Sequence, residues 1–130
     1  MRTAEAAGVT GVITTKGTTD PFSAKALRGA MGSTFRLPVW MNRDFPQTVA
    51  WCREHSIQIV CADAAARRSY LEIDWQKPTA LVMGTESAGL TPAEVSAADQ
   101  VVSIPMKGPT ESLNVAVAAG ILLFEAARHR

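Results

Sequence analysis

Two stretches in the second half of the chain gather the residue types that can do chemistry. The first, Gly84-Thr85-Glu86-Ser87-Ala88-Gly89-Leu90, follows an apolar run and carries one carboxylate, Glu86, between two glycines. Gly84 and Gly89, lacking a Cβ, let the backbone turn sharply or approach a ligand. The second runs Ile104-Pro105-Met106-Lys107-Gly108-Pro109-Thr110-Glu111-Ser112-Leu113-Asn114. Ser112 and Asn114 stand at an expected helix start, where amides and side chains can hold an anion or a hydroxyl. Ile104, Met106 and Leu113 supply an apolar slot for a flat ring. Neither stretch is a phosphate loop G-x-x-x-x-G-K-[ST] or a dinucleotide fingerprint G-x-G-x-x-G. On spacing alone the pair is a small-molecule site without a named ligand.

Loops of this kind must be held by strands, because ligands of open α/β sheets bind beyond the strands' carboxyl ends. Thr79 to Gly84 (T-A-L-V-M-G) is a continuous apolar strand of the sort covered on both faces. Gln100 to Ile104 is a second strand, and Thr91-Pro92 opens a short helix between them that reaches Ala98. Glu111 or Ser112 begins a last helix ending near Arg128. That helix is apolar nearly all round (Leu113, Val115, Val117, Ile121, Leu122, Leu123, Phe124), so it needs cover on several sides. Part of it is expected in a subunit interface.

The first half alternates in the same manner. Arg2 to Ala7 reads as the end of a helix stopped by Gly8, and Val9 to Thr14 as a short strand. Asp20-Pro21 reads as a helix entry running to Met31. Thr34 to Trp40 is strand-like around Pro38, Asp44 or Phe45 opens a helix to His55, and Ile57 to Ala62 is a strand. Residues 64–76 are irregular, with room for one more short strand. Such alternation predicts an α/β domain with a largely parallel sheet.

Bulk composition narrows the class without naming a function. At 130 residues, 47% hydrophobic and 19% charged, the chain is of single-domain size and globular. A net charge of +1 does not announce a nucleic-acid binder. The cysteines, Cys52 and Cys61, form no C-x-x-C pair, which fits structural thiols in a reducing cytosol. No signal peptide is visible in the first residues, and the apolar run Val115 to Phe124 is about half a membrane span.

The string L-V-M-G-T-E-S-A-G-L resembles the second signature of the SpoU (TrmH-like) branch of the SPOUT RNA methyltransferases. The string I-P-M-K-G-P-T-E-S-L-N-V-A-V-A-A-G-I-L-L-F-E-A-A-R-H-R resembles the third, and D-P-F-S-A-K-A-L-R-G-A-M-G-S-T-F-R-L-P-V resembles the stretch upstream of them. The likeness covers nearly the whole chain and is greatest to 23S ribosomal RNA guanosine-2′-O-methyltransferases. The first signature has the form N-x-G-x-x-x-R-T-A, and the chain opens on Met1-Arg2-Thr3-Ala4. Arg2 thus matches the signature arginine. The expectation is a single catalytic domain over residues 1–130 that lacks the family's first strand and any N-terminal RNA-binding domain.

The resemblance implies a SPOUT-type α/β fold, with a mostly parallel sheet flanked by helices and a C-terminal deep trefoil knot. It implies a cytoplasmic homodimer joined through the C-terminal helix. S-adenosylmethionine would lie against Gly84, Ile104 and Leu113, with Met83 and Met106 beside them, and no metal is expected. The methyl group would pass to a ribose 2′-OH, in ribosomal RNA first and transfer RNA second. Arg2 would hold the RNA phosphate and polarise the hydroxyl, because a guanidinium that stays protonated is a poor base. Ser112 and Asn114 would orient Arg2 and the ribose-phosphate, and Glu86 would fix the site.

Plainer readings stand beside these. Glu86 also suits a capping or salt-bridging carboxylate, Ser112 a helix N-cap, and Asn114 a structural tie between loops. Lys25, Arg28, Arg36 and Lys107 form either an RNA-facing patch or scattered surface charges. His55 and His129 are isolated, and Trp40, Trp51 and Trp75 fall outside the signature loops. Two other functions remain open: a non-catalytic cofactor- or RNA-binding dimer module, and an unrelated nucleotide-binding α/β enzyme.

Overall fold

The computed structural model describes all 130 residues. They form two compact units, residues 1–48 and 49–130.

In the first unit, helix α1 (Arg2–Ala6) ends where the sequence says it must. Gly8 takes φ 75°, its amide donates to the Glu5 carbonyl at 2.9 Å, and the Val9 amide donates to the Ala4 carbonyl at 3.0 Å. This doubly bonded left-handed cap uses up Val9. Strand β1 therefore begins at Val12 and ends at Thr15, later than the expected Val9 to Thr14.

Helix α2 (Ala24–Ala30) starts four residues beyond the expected entry at Asp20. Asp20 instead closes a local turn, its Oδ1 accepting the Phe22 amide at 2.8 Å, and Ser23 is the cap, its Oγ accepting the Ala26 amide. The expected strand from Thr34 to Trp40 is the larger correction. Met31 and Gly32 both take left-handed backbone, and a short helix α3 (Ser33–Arg36) follows. Pro38 then forces Leu37 into extended backbone (φ −99°, ψ 137°). Strand β2 (Val39–Arg43) begins only after it and pairs in parallel with β1. The β-branched and aromatic residues of 34–37 suggested a strand, but the paired left-handed turn before them resets the chain direction.

Helix α4 (Phe45–Glu54) runs across the boundary between the units, with Val49 and Cys52 buried. The second unit then builds a four-stranded sheet from β3 (Gln58–Ala62), β4 (Arg68–Ser69), β5 (Thr79–Met83) and β6 (Gln100–Ser103). Its order is β4-β6-β3-β5 and every pairing is parallel, as the alternating pattern predicts. A 3₁₀ turn, Tyr70–Glu72, follows β4, and helix α5 (Pro92–Ala97) links β5 to β6.

The apolar run of β5 suggested a strand covered on both faces. The covered strand is instead β3, where Ile59, Val60 and Cys61 are at most 2% exposed. β5 pairs only with β3 and is half-buried throughout.

Helix α6 (Val115–Arg128) supplies the core of this unit. Leu122 and Ala126 pack with Val60, Val102, Ile73 and Trp75 in one buried cluster. Trp75 secures the irregular stretch before β5 by donating its ring Nε1–H to the Tyr70 carbonyl at 2.9 Å. Burial of this kind is the main favourable term in folding. The expected helix start at Glu111 or Ser112 lies too early: Asn114 is the N-cap, its Oδ1 accepting the Ala116 and Val117 amides at 2.9 and 3.3 Å. No helix is long and apolar enough to cross a membrane.

Candidate active site

A cleft of about 500 Å³ opens at the carboxyl ends of β3, β5 and β6. Its walls are the two loops singled out by residue type. Met83 and Gly84 come from the end of β5, Glu86 from the loop beyond it, and Ile104, Met106, Ser112, Leu113 and Asn114 from the segment after β6. All five residues expected to contact a cofactor, and three of the four expected to carry catalysis, thus converge in one place.

The first loop is closed on itself. Thr85 and Gly89 exchange both backbone hydrogen bonds, at 3.1 and 2.9 Å, and the Thr85 hydroxyl accepts the Ala88 amide at 3.1 Å. Gly89 sits at φ 67°, a conformation that costs an L-residue strain. The need for glycine at 84 has another source. A Cβ there would lie 2.4 Å from the Gly89 carbonyl carbon and 2.6 Å from the Leu90 nitrogen. The loop therefore folds tightly only because Gly84 leaves that space. Thr91 then starts α5 with a reciprocal cap: its hydroxyl accepts the Glu94 amide, and the Glu94 carboxylate accepts the Thr91 amide at 2.6 Å.

The second loop is tied to the first by one side chain. Asn114 donates its Nδ2–H to Glu86 Oε1 at 3.1 Å, across 28 residues of sequence. The plain reading of Asn114 as a tie between the loops fits this bond; Glu86 is the acceptor of the tie and neither caps a helix nor forms a salt bridge. Ser112 is exposed and makes no cap.

Sequence reasoning missed Asp63, the only other ionisable side chain lining the cleft besides Glu86. It follows the last residue of β3, which pairs with both β5 and β6. The signal that could have found it is the rule that ligands lie beyond strand ends, since Ala62 closes an apolar strand in the sequence.

With two carboxylates and no lysine, arginine or histidine in its lining, the cleft disfavours phosphates and suits a neutral ring or a cationic group. The side chains of Met83, Ile104, Met106 and Leu113 give the apolar walls that a flat base needs. This donor set fits S-adenosylmethionine, a neutral base joined to a sulfonium, and does not fit a nucleotide polyphosphate.

The other expected residues belong to the unit of residues 1–48, apart from Lys107. Arg2 is exposed on the first turn of α1. Lys25 and Arg28 are exposed three residues apart on α2. Arg36 is engaged internally: its Nη2 donates to Glu5 Oε2 at 2.8 Å, its Nε donates to Glu5 Oε1, and buried Ser33 donates to the same carboxylate at 2.6 Å. Lys107 is exposed in the loop after β6.

A parallel α/β sheet with a carboxyl-end cleft of this lining defines a small-molecule-binding α/β domain. Residues 1–124 match the SpoU rRNA Methylase family. The chain is 38% identical over 124 residues to the Bacillus subtilis 23S rRNA (guanosine(2553)-2′-O)-methyltransferase RlmP, covering 95% of this chain and 50% of that protein. It is 36% identical over 130 residues to the Shewanella oneidensis 23S rRNA (guanosine-2′-O-)-methyltransferase RlmB, covering 100% and 53%.

Among solved structures it superposes with a TM-score of 0.92 on the SpoU methyltransferase AviRb from Streptomyces viridochromogenes in complex with AdoMet. That match is 34% identical and covers 98% of this chain and 52% of that one. An AdoMet-bound rRNA methyltransferase from Sinorhizobium meliloti gives 0.92 at 42% identity, covering 98% and 49%. The chain belongs to the SpoU rRNA methylase family, and it spans about half the length of the curated relatives it matches.

Proposed function

We propose that this chain is the catalytic region of an S-adenosylmethionine-dependent RNA ribose 2′-O-methyltransferase that acts on ribosomal RNA, the alternative substrate being transfer RNA. The observation that carries this reading is the convergence of Met83, Gly84, Ile104, Met106 and Leu113 in one cleft beside the Asn114–Glu86 tie. The methyltransferase names of the relatives and the AdoMet in two similar structures support it.

When bound, S-adenosylmethionine supplies an already activated methyl group, so the protein's work is positioning and removal of one hydroxyl proton. Ile104, Met106 and Leu113 hold the base between apolar side chains, and the closed loop from Gly84 to Leu90 offers backbone groups to its edge. Glu86 and Asn114 keep the two loops at a fixed separation. Ser112, exposed at the cleft rim, is free to meet the ribose-phosphate of the RNA. Arg2, the arginine matching the first signature, holds an RNA phosphate and polarises the 2′-hydroxyl, with the proton passing to phosphate or water.

The same reading includes three further features: a trefoil knot in the C-terminal part, a cytoplasmic location and a homodimer joined through α6. The dimer is supported by the exposure of Val117 and Phe124, 52% and 53%, on the outer side of that helix.

Calorimetric titration with S-adenosylmethionine, on the wild type and on Leu113→Arg, tests the cofactor reading. Binding by the wild type that the variant loses supports it. A folded wild-type chain that binds nothing removes it. A methylation assay on ribosomal RNA, with mass spectrometry of the digested nucleosides, then tests the reaction.

A further inference from the structure

The polar side chains lining the cleft are mostly committed inside the protein. Thr85 holds the Ala88 amide, Ser103 donates to the Arg68 carbonyl at 3.3 Å, and Glu86 receives Asn114. Asp63 is different. Its Oδ1 accepts the Ala65 amide at 2.9 Å, closing a local turn, while Oδ2 makes no hydrogen bond within the protein.

Its position is fixed by the sheet. β3 lies between β5 and β6, and Ala62 is in register with Met83 on one side and Val102 on the other. Asp63, the next residue, therefore stands between Gly84 and Ser103 at the point where both loops leave the sheet. Its own amide donates to the Val102 carbonyl at 2.9 Å, which holds it there. A ligand that touches both loops must cross Asp63.

We infer that Asp63 binds the ribose hydroxyls of the adenosyl ligand, a role that rests on the cofactor reading above. The chemistry follows from what lies beside it. Asp63 is one residue from register with Ile104, the first residue of the apolar slot, so it meets the part of the ligand bonded directly to the base, and that part is the sugar. A carboxylate accepts hydrogen bonds only, and a vicinal diol presents two donors at matching separation. Carboxylates at strand ends read ribose hydroxyls in the same manner in dinucleotide-binding folds.

The test uses two ligands and two proteins. Wild type and Asp63→Asn are titrated calorimetrically with S-adenosylhomocysteine and with its 2′-deoxyribose analogue. Asparagine keeps the Oδ1 that closes the turn with Ala65 but loses the charge and the second acceptor. Hydrogen bonds to charged groups set the expected size, a loss of roughly tenfold or more for S-adenosylhomocysteine in the variant. The preference of the wild type for the ribose ligand over the deoxyribose one should also disappear.

Equal binding of S-adenosylhomocysteine by both proteins overturns the inference. So does a loss in Asp63→Asn that is equal for the two ligands, which would place the ligand's ammonium group against Asp63. A folded wild type that binds neither ligand instead removes the cofactor reading and this inference with it. If thermal melting shows that Asp63→Asn is unfolded, Asp63→Ser, which also offers a turn-closing oxygen, takes its place in the same comparison.

Discussion

Asn114 divides its amide between two tasks. Its Oδ1 accepts the first free amides of α6, those of Ala116 and Val117, and its Nδ2 donates to Glu86 at 3.1 Å. Because the oxygen is committed to the helix, the nitrogen is turned outward to an acceptor. The N-cap of the core-forming helix and the spacing of the two cleft-lining loops are thus one structural event. A change in either loop is felt at the other through a single side chain.

This coupling separates stability from binding. Asn114→Ala removes cap and tie and should cost about 1–2 kcal/mol of folding stability. Asn114→Ser keeps a capping oxygen and should cost under half of that, yet it loses the tie. Both variants should bind S-adenosylmethionine more weakly by a similar factor. Denaturant melts and calorimetric titrations on the two proteins check this. An Asn114→Ser protein that binds as the wild type does would show the tie to be irrelevant to the cleft.

Gly84→Ala tests the close approach of the loop to itself. The added methyl would lie 2.4 Å from the Gly89 carbonyl carbon, so either the Thr85–Gly89 bridge opens or β5 shifts. The residues involved are half-buried or exposed, so the chain should still fold, with a lowered melting temperature. Binding of S-adenosylmethionine should fall by more than tenfold. Unchanged affinity in a folded Gly84→Ala protein would mean that the loop's closed shape is not what the ligand requires.

The sheet and the cleft were legible in the sequence for a simple reason. Parallel strands announce themselves as short apolar runs, and the rule that ligands sit beyond their carboxyl ends turns those runs into a site. That is how residues 79–84 and 104–114 could be paired without coordinates. The failures share a cause as well. At Ser33–Arg36 the local propensity favoured a strand, but two consecutive left-handed residues, Met31 and Gly32, set a helical turn that composition did not reveal. Asp20 and Ser112 are capping residues by type, but the later Ser23 and Asn114 hold the cap geometry. Asp63 carries no local signal, because its strand end bears no glycine or motif. Its place between the two loops comes from the sheet order, which only pairing between distant strands decides.

The thiols are predicted to be inert. Cys52 is 1% and Cys61 0% exposed, and burial pushes the Cys61 thiol up to about 11, with Glu94 and Asp63 adding to the effect. The reactive thiolate is therefore scarce at neutral pH. An aromatic disulfide reagent at pH 8 should label neither cysteine in the native protein and both in denaturant. Rapid labelling of native Cys61 would be inconsistent with its burial.

The outward side of α6 makes a prediction about assembly. Val117 and Phe124 are seven residues apart, so two turns of helix place them on the same side, both half exposed. Phe124→Lys should leave the inner contacts of Leu122 and Ala126 intact while putting a charge on that side. Light scattering on the eluting protein should give a dimer for the wild type and a monomer for the variant. A wild type that is monomeric at tens of micromolar would remove the dimer.

Acid should weaken the first unit through one carboxylate. Glu5 receives Arg36 and Ser33, and those hydrogen bonds, led by that of Arg36, hold its carboxyl near 2 in place of the ordinary 4.5. A folded-state value below the unfolded one means that the unfolded chain takes up the proton first. The contribution is therefore complete above about 4.5 and is lost as the pH falls from there toward 2. Its size is limited, since the Arg36 side chain is 57% and the Glu5 side chain 29% exposed, and salt should reduce it further. Glu125, lowered in the same direction by Arg128 and His129, leaves a residual acid sensitivity elsewhere in the chain. Denaturation midpoints measured from pH 6 down to 2.5 should thus fall less steeply in Glu5→Gln than in the wild type, without becoming flat. Parallel curves would mean that Arg36 holds Glu5 no more tightly in the folded chain than water does in the unfolded one, and Arg36 would then be available for RNA.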